Sequence, residues 1–407
     1  MNWLIRPLKQ LAAVSVSNVD KKSVAGEEVV RLVNYTDVYY GDRITPLSDL
    51  MSATASTSQR QSFGLRPGDV LITKDSESAD DIGVPAFVEA VADDMVLGYH
   101  LALLRPRQDV ADGRFLYWSM CSDRARDQLS TAATGVTRFG LRTDAIKATT
   151  FSVPAIEHQR AIADFLDTET ARIDALISRK RRMIELLDQR WQSSIDEAVA
   201  WPTGNQVPVR RLVSRLTSGP RGWADRVGDS GAPFVRITNI NRRTLEIDSQ
   251  SLLRVVDQPS PEAERSRIRT DDVLVSITAD IGSVAVARRG VAGGFISQHL
   301  ALLRPERCEG DWLAYAIRGT HAQHQLAASQ YGGTKKQLSL DDLAELRIPV
   351  PPPNVRQKRL TALRLTVQKL AQASNALRQQ VALLAEHRQA LITAAVTGEL
   401  AMPGVVA

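Results

Sequence analysis

One heptapeptide occurs twice in this chain, and the repeat limits the folds that the chain can adopt. The sequence HLALLRP at His100–Pro106 recurs letter for letter at His299–Pro305. Shorter matches follow the same order in both halves, and they pair Arg31–Asn34 with Arg236–Asn239, Asp69–Ile72 with Asp272–Val275, Gly135–Arg138 with Gly332–Lys335, and Val153–Pro154 with Val350–Pro351. Because the offset falls from 205 to 203, 199 and 197, we interpret the halves as a duplication with small deletions between the matches.

Within each half, the pattern predicts a mixed α/β (α+β) globule. Short β-branched or aliphatic runs bounded by Gly, Asp or Pro are typical of strands. They lie at Val29–Val33, Val70–Thr73 and Leu101–Leu104, and in the second half at Phe234–Thr238, Val273–Ile277 and Leu300–Leu303. Apolar residues at helical spacing predict one helix over Gly113–Ser130 and one over Gly310–Ser329. Ser339 followed by Asp342 predicts a capping box at the start of a further short helix.

Two long glycine-free segments follow Pro154 and Pro351–Pro353 and predict helices that reach Ala200 and Thr397. Each would be about 66 Å long at about 1.5 Å per residue. The predicted seam residues are Ile173, Ile177, Ile184, Leu187 and Trp191 on the first helix, and Leu363, Leu370, Leu377, Leu384 and Leu391, seven apart, on the second. Since a globule lies between the helices in the chain, we expect an antiparallel coiled coil and a pseudo-twofold axis.

The predicted organisation is therefore two globular domains in tandem, separated by two helices. We expect domains at residues 1–153 and 201–350, with a first spacer helix at 154–200 and a second helix and tail at 351–407. Cys121 and Cys308 lack a second cysteine at short spacing, so we expect packing residues and no metal site. No run of about 20 apolar residues or signal-peptide core is present. A cytoplasmic protein that does not cross a membrane is expected.

Charge is only weakly informative about partners. The net charge is +5, which is compatible with nucleic-acid binding. Residues 1–153, however, carry 17 Lys and Arg against 19 Asp and Glu, whereas residues 201–350 carry 20 against 16. Charge alone does not identify a nucleic-acid-binding protein.

Two kinds of loop supply the candidate binding residues. A glycine, a hydroxyl and a cation precede a helix in both halves, at Gly135, Thr137 and Arg138 and at Gly333, Thr334, Lys335 and Lys336. Such loops can contact phosphate, although a structural glycine turn with solvated cations explains the same residues. The other candidates are of two kinds. Four polar residues follow strands, Lys74, Asp75, Ser276 and Thr278, and two lie in the first of the matched segments, Arg236 and Asn239. An ordinary polar loop is the alternative for these. His100 and His299 are interpreted as packing or hydrogen-bonding residues within the repeated strand.

Several catalytic motifs are missing from the sequence. There is no GxxxxGK[ST] phosphate loop, no GxGxxG turn, and no Asn/Asp-Pro-Pro-aromatic signature of amino-methyltransferases. We therefore expect no catalytic residues and no cofactor in this chain.

Over nearly its whole length, the chain resembles the DNA-specificity subunits of type I restriction-modification systems. The resemblance rests on the duplicated globule, Gly68–Lys74, the Gly-x-Thr-Arg/Lys loops, the Val-Pro stretches leading to Gln159-Arg160 or Gln357-Lys358, and Ala395–Leu400. It implies two target-recognition domains, each reading half of a split DNA site. It also implies two adenine-N6 methyltransferase subunits that use S-adenosylmethionine, and two restriction (motor-nuclease) subunits that use ATP and Mg²⁺.

The function expected from this resemblance is recognition of double-stranded DNA without catalysis. Cationic loops would hold phosphates, variable loops would read base edges, and the helices would hold two unlike half-sites about one helical turn apart. One alternative is a coiled-coil protein-binding scaffold with paired globular domains. A third hypothesis is a self-sufficient nuclease or methyltransferase, which the missing motifs disfavour.

Overall fold

The computed structural model describes residues 3–202, 206–241, 244–256, 260–329 and 337–401. The chain divides into two units, Met1–Arg179 with Val381–Ala407, and Lys180–Gln380. The boundaries fall at other positions than the four predicted segments, because each unit includes parts of the long helices.

The first unit has these strands: β1 Leu4–Pro7, β2 Ala12–Val16, β3 Glu28–Val33, β4 Arg43–Ile44, β5 Met51–Ala55, β6 Val70–Thr73, β7 Asp75–Ser76, β8 Pro85–Val88, β9 Met95–Leu97, β10 Leu101–Pro106, β11 Thr134–Gly135, β12 Phe139–Gly140 and β13 Thr150–Val153. They form sheets in the orders β2-β10-β6-β8-β4, β5-β3-β9, β11-β12-β7 and β1-β13. The three strands predicted in this half are thus confirmed, with slightly extended ends.

The helices that begin in this unit are α1 Leu8–Leu11, α2 Tyr35–Tyr40, α3 Thr57–Phe63, α4 Gly113–Cys121, α5 Asp123–Ala132, α6 Thr143–Ala148 and α7 Ile156–Val199. The main core lies between α4, the central strands and the first part of α7, where Phe115, Leu116, Ile162 and Leu166 are buried. These residues are at most 2% exposed.

The second unit has these strands: β14 Gln206–Pro208, β15 Val213–Ser218, β16 Val227–Gly228, β17 Ala232–Val235, β18 Leu253–Val255, β19 Val273–Ser276, β20 Val284–Val286, β21 Phe295–Ile296, β22 Leu300–Pro305 and β23 Arg347–Pro349. The sheet orders are β15-β22-β19-β20, β16-β18-β17-β21 and β14-β23. The helices are α8 Pro261–Ser266, α9 Gly310–Arg318, α10 Thr320–Ala328, α11 Leu340–Glu345 and α12 Pro353–Thr397. The predicted capping box is confirmed, since Ser339 Oγ accepts from the Asp342 amide while the Asp342 carboxylate accepts from the Ser339 amide.

The repeated heptapeptide occupies the same place in each unit. Its Leu-Ala-Leu-Leu segment is a buried central strand, and its arginine forms a two-pronged bond to an aspartate that is 1 or 2% exposed. Arg105 bonds Asp69 at 2.7 and 2.9 Å, and Arg304 bonds Asp272 at 2.8 and 2.9 Å. A buried carboxylate requires such a partner, which explains why these residues recur together.

The prediction of one helix after each heptapeptide strand was wrong, because two consecutive helices follow that strand in each unit, α4 and α5 or α9 and α10. Ser122 is extended between α4 and α5, and its hydroxyl accepts from the Ala125 amide. In the second unit, Asp196 of α7 caps α10 by accepting from the Thr320 amide at 2.7 Å. Helical periodicity continues across both breaks, so it does not reveal them. The first break is capped by Ser122, inside the predicted helix, and the second by Asp196, which is distant in sequence.

The first match of the repeat was aligned in the wrong register. Gly98 donates to the Val33 carbonyl and Ser297 to the Val235 carbonyl, so Val33 corresponds to Val235. The offset at this point is therefore 202. The predicted strand Phe234–Thr238 accordingly ends at Val235, and a turn of 3₁₀ helix follows at Ile237–Asn239.

The pairing of Gln159 with Gln357 also needs correction. Gln159 is 1% exposed and donates to the Pro154 carbonyl, and the buried Arg356 donates to the Pro351 carbonyl. Gln357 is exposed. Arg356 therefore stands in the place of Gln159.

The long helices are confirmed, and their paired segments run antiparallel in the second unit. There, Arg359 donates to the Ala198 carbonyl, Arg378 lies 3.7 Å from Asp188, and Lys180 donates to Gln380. Residue numbers thus rise on one helix as they fall on the other. The ten predicted seam residues are all buried or half-buried.

Candidate functional site

The two loops predicted for the first half lie together in the structure. Strand β12, which follows the Gly135–Arg138 loop, pairs with β7, so that Gly140 lies opposite Asp75. The Leu141 amide also donates to the Lys74 carbonyl at 2.8 Å. Residues about 60 positions apart therefore form one surface on a small three-stranded sheet.

A tight hairpin displays the loop residues. Gly135 has φ of +146°, and a Cβ atom there would lie 2.0 Å from the Arg138 carbonyl oxygen. The position therefore requires glycine. The residues at the tip, Val136, Thr137 and Arg138, are exposed, with Val136 at 91%. The hairpin presents an apolar group, a hydroxyl and a cation to any ligand that approaches.

His100 links the hairpin to the residues that follow β6. It precedes β10 rather than lying within it, with φ of +72°. Its Nδ1 lies 2.5 Å from Asp75 Oδ2, and Arg138 Nη2 lies 3.3 Å from both ring nitrogens. A neutral ring that donates from Nδ1 to Asp75 has Nε2 as its acceptor. The interpretation of His100 as a hydrogen-bonding residue is confirmed.

Asp75 is the centre of this network. Lys74 donates to its Oδ2 at 2.8 Å, and the Asp75 side chain is 14% exposed. Burial by itself raises the pKa of the Asp75 carboxyl, but the bonds from Lys74 and His100 outweigh it, and the net effect is a lowered pKa. Asp75 is therefore a carboxylate at neutral pH, and only its Oδ2 is used by Lys74 and His100.

The second unit builds the same frame with different side chains. The Ile277 amide donates to the His299 carbonyl, as the Lys74 amide does to that of His100, and the Leu338 amide donates to the Ile277 carbonyl. Thr278 thus corresponds to Asp75. Its Oγ1 lies 2.8 Å from His299 Nδ1. Of the matching loop, Gly333, Thr334, Lys335 and Lys336 lie outside the described residues.

Two candidates in the second half are scaffold residues. Ser276 is 0% exposed, accepts from the Ser283 amide and donates to the Asp280 carbonyl. Thr73 plays the same part in the first unit, where it accepts from the Val84 amide. Because its hydroxyl is buried and bonded to its own loop, the prediction of Ser276 as a ligand contact is wrong.

Asn239 is also a buried structural residue. Its carbonyl oxygen accepts from the Arg236 amide at 2.9 Å, and its amide group donates to Ser251. A 0% exposed side chain with these bonds cannot reach a ligand, so this prediction is wrong as well. Arg236 is half-buried, and its side chain stays a candidate.

A group of side chains beside the hairpin was not predicted from the sequence. Tyr35, Tyr39 and Tyr40 on α2 and Asp81 border the same cavity as Asp75 and Arg138. The signal was available, since three tyrosines in six residues are unusual for a short surface helix of a chain with 5% aromatic residues.

Neither a metal centre nor a membrane segment is evident in the part of the chain that the structure describes. No group of three His, Cys, Asp or Glu side chains there could hold a metal ion, and no helix there is long and apolar enough to cross a bilayer. Burial raises the pKa of the Cys121 and Cys308 thiols to about 12, as expected for packing residues.

Comparison with known proteins gives consistent matches to one family. The model of the type I restriction modification DNA specificity domain matches residues 226–378. The chain is 22% identical over 291 residues to the EcoBI specificity subunit of Escherichia coli, which covers 63% of this chain and 59% of that subunit. It is also 22% identical over 322 residues to the EcoKI specificity subunit of Escherichia coli strain K12, which covers 75% of this chain and 67% of that one.

A solved structure shares the fold along nearly the full chain. It comes from work on complex assembly and conformational transition of the type I restriction-modification system, and it superposes with a TM-score of 0.75, 19% identity and 98% coverage of both chains. The first curated relative is matched over less than two thirds of its own length.

Proposed function

Because this chain belongs to the family of type I restriction-modification DNA specificity subunits, we propose that it reads an asymmetric, bipartite DNA target in the cytoplasm without catalysing a reaction. Each unit would read one half-site. The observation that carries this proposal is the histidine frame, which holds Asp75 in one unit and Thr278 in the other. A carboxylate only accepts hydrogen bonds, whereas a hydroxyl both donates and accepts, so the two units would select different bases.

Phosphate contacts and base contacts would come from different parts of the first site. Arg138 and Thr137 are exposed at the hairpin tip and suit the DNA backbone, and Gly135 shapes the loop that carries them. Asp75 and Lys74, at the base of the hairpin, would face base edges. In the second unit, Thr278 and Arg236 would act with Thr334, Lys335 and Lys336 on the Gly333 loop. Backbone contacts fix register, and base-edge contacts provide sequence selectivity.

The long helices would set the spacing and hold the partners. We propose that the seam of α7 and α12, from Ile173 to Trp191 and from Leu363 to Leu391, keeps the recognition domains at a fixed separation. Two methyltransferase subunits with S-adenosylmethionine and two restriction subunits with ATP and Mg²⁺ would assemble on the chain. The central base pairs of the target would remain unread.

Methylome mapping tests this function directly. The chain would be co-expressed with its cognate methyltransferase subunit in a host without DNA methylation, and N6-methyladenine would be mapped across the genome. The expected result is a split motif with one modified adenine in each of two unlike half-sites. If the complex assembles but no new methylation appears, the DNA-reading function is wrong and a protein-binding scaffold becomes the better interpretation.

A further inference from the structure

A cavity of about 550 Å³ opens beside the hairpin of the first unit. One wall is the helix α2 and the other is the edge of the three-stranded sheet. Its principal lining residues are Tyr35, Tyr39, Tyr40, Asp75, Asp81 and Arg138. The cavity therefore combines aromatic rings, carboxylates and one cation at the place where the hairpin would meet a ligand.

The tyrosines form an ordered aromatic wall. The rings of Tyr35 and Tyr39 stack with centroids 5.4 Å apart, and Tyr40 meets Tyr39 edge-on at 4.8 Å. Tyr40 is nevertheless 82% exposed. A large aromatic side chain left open at the rim of a polar cavity is typical of a contact surface, since it offers rigid apolar area and a hydroxyl.

Hydrogen bonds orient the polar groups of the cavity. The Tyr39 hydroxyl donates to an Asp81 carboxylate oxygen. This bond raises the pKa of Tyr39 to about 12, so the hydroxyl stays protonated at neutral pH. Asp75 is oriented from the other side by Lys74 and His100, and both use its Oδ2. Three carboxylates thus line the cavity, Asp75, Glu77 and Asp81. Asp75 and Asp81 are each held in position by a donor.

We propose that this cavity selects a base with an exocyclic amino group, cytosine N4 or adenine N6, at one position of the half-site read by the first unit. This inference rests on the DNA-reading function proposed above. Asp81 and Asp75 Oδ1 supply acceptors for the amino group, and Tyr40 packs against the base or sugar at the rim. In place of that amino group, guanine presents the acceptor O6 and thymine the acceptor O4 in the major groove, and a carboxylate repels both. Arg138 lies at the side of the cavity and contacts the adjoining phosphate.

The proposal also explains the acidic balance of the first half. Residues 1–153 have more Asp and Glu than Lys and Arg, which disfavours nonspecific attraction to DNA. Carboxylates placed at a base-reading cavity give selectivity at the expense of that attraction. The phosphate contacts then fall to a few exposed cations such as Arg138.

The test compares Asp81→Asn with Asp80→Asn. The change at Asp81 keeps the size of the side chain but adds a hydrogen-bond donor, so the variant accepts thymine or guanine as well. Asp80 is the adjacent carboxylate, is exposed, and does not line the cavity, so D80N makes the same change of charge outside the site. Each variant would be co-expressed with the cognate methyltransferase subunit on a plasmid library with randomised target positions, and methylated sequences would be counted.

The wild-type chain gives the reference motif. Because every base pair carries one such amino group, cytosine N4 or adenine N6, the discriminating result is the change at one position of one half-site. Asp81→Asn should raise the share of guanine or thymine at that position about tenfold or more, within the range of about 1–3 kcal/mol for one base contact. The other half-site and D80N should keep the wild-type preference. Which amino base occurs in the wild-type motif distinguishes cytosine from adenine.

The possible failures are distinguishable. If the wild-type complex methylates nothing, the DNA-reading function itself is wrong. If the wild type methylates a split motif and D81N retains that motif at every position, only the cavity assignment is overturned. Should D81N abolish methylation, Tyr39→Phe, which removes the donor that orients Asp81, is expected to relax the same position, and an unchanged preference in that variant overturns the assignment.

Discussion

The two units place a histidine on the same frame and give it different partners. His100 contacts a carboxylate, Asp75, whereas His299 contacts a hydroxyl, Thr278. The aspartate–arginine pairs near the other ends of β10 and β22 are the same in both units, and their N–O distances are nearly identical. The comparison shows that the buried charged residues stay constant, while the half-buried position that contacts the histidine varies without disturbing the fold.

A second difference lies in the segment that follows the matched strands β3 and β17. In the first unit this segment is α2, with Tyr35, Tyr39 and Tyr40. In the second unit it is a single turn of 3₁₀ helix, with Ile237 in place of Tyr35. Both segments begin with an amide that donates to a side chain three residues later, Asp37 or Asn239. A common start thus supports two different surfaces.

The largest expected effect tests the shared frame. Asp272→Ala would leave Arg304, whose side chain is 12% exposed, without its buried partner. We expect a loss of about 3–5 kcal/mol in the free energy of unfolding. Asp69→Ala should cost less, because Arg105 is 23% exposed and can reach water. Denaturant unfolding of each variant measures the difference.

The double variant Asp272→Ala with Arg304→Met serves as the control for this prediction. Removal of both charges should recover part of the loss, because no uncompensated guanidinium remains buried. Equal losses in the single and double variants would contradict the interpretation of this pair.

Exchange of the variable side chains tests whether each unit reads its own half-site. Asp75→Thr gives the first unit the side chain of the second, and Thr278→Asp does the reverse. Each change should alter base preference in one half-site only, by about 5- to 150-fold at one position, which corresponds to about 1–3 kcal/mol. Methylome mapping of both variants is the measurement. A change in both half-sites at once would argue against separate readers.

Removal of the hairpin cation should have a smaller effect that does not depend on sequence. Arg138→Ala is expected to weaken DNA binding by the assembled complex several-fold. It should also reduce the slope of the logarithm of the binding constant against the logarithm of the salt concentration by about 1. Arg142→Ala is the matched control, because Arg142 is 72% exposed and already paired with Asp144. Lys335→Ala is expected to act like Arg138→Ala if the second loop has the same role. DNA-binding titrations at several salt concentrations measure this slope. An unchanged slope for Arg138→Ala would mean that Arg138 does not contact a phosphate.

The smallest effect concerns pH. The lowered pKa of Asp75 means that its interactions stabilise the folded chain above the unfolded value of about 3.9. That contribution is lost as the pH falls through the folded-state pKa. The difference in unfolding free energy between the wild type and Asp75→Asn should therefore be largest near neutral pH and shrink below about pH 4. A difference that stays constant down to about pH 3 would mean that ionisation of Asp75 does not stabilise the fold.

Predictions from the sequence succeeded where the signal was local. The strand Val70–Thr73 depends on a run of adjacent β-branched and aliphatic residues. The capping box at Ser339 depends on residues three apart, and both long helices depend on helix-favouring composition and apolar spacing. They failed where a distant residue decides the outcome. Asp196 caps a helix that starts 124 residues later in the chain, and no pattern near Gly319 reports it.

Assignment of the site had the same limit. Asp75 and Arg138 could be proposed from the sequence because polar residues after a strand and cations in a glycine loop are local features. Ser276 was misassigned because its neighbours resemble those of Lys74, whereas its burial depends on a turn that closes over it. The place of Asp81 beside Tyr39 could not be predicted, since it depends on the packing of α2 against a loop 42 residues away.

The repeat, the long helices and the family resemblance are evident from the amino-acid sequence, because identity of residues and helical spacing are properties of the chain. Three other features became evident only in the folded chain: the register of the first match, the two helix breaks and the grouping of Asp75, His100 and Arg138. Those features depend on nonlocal hydrogen bonds and on burial. Both are set by which segments pack together, and a linear order of residues does not specify that.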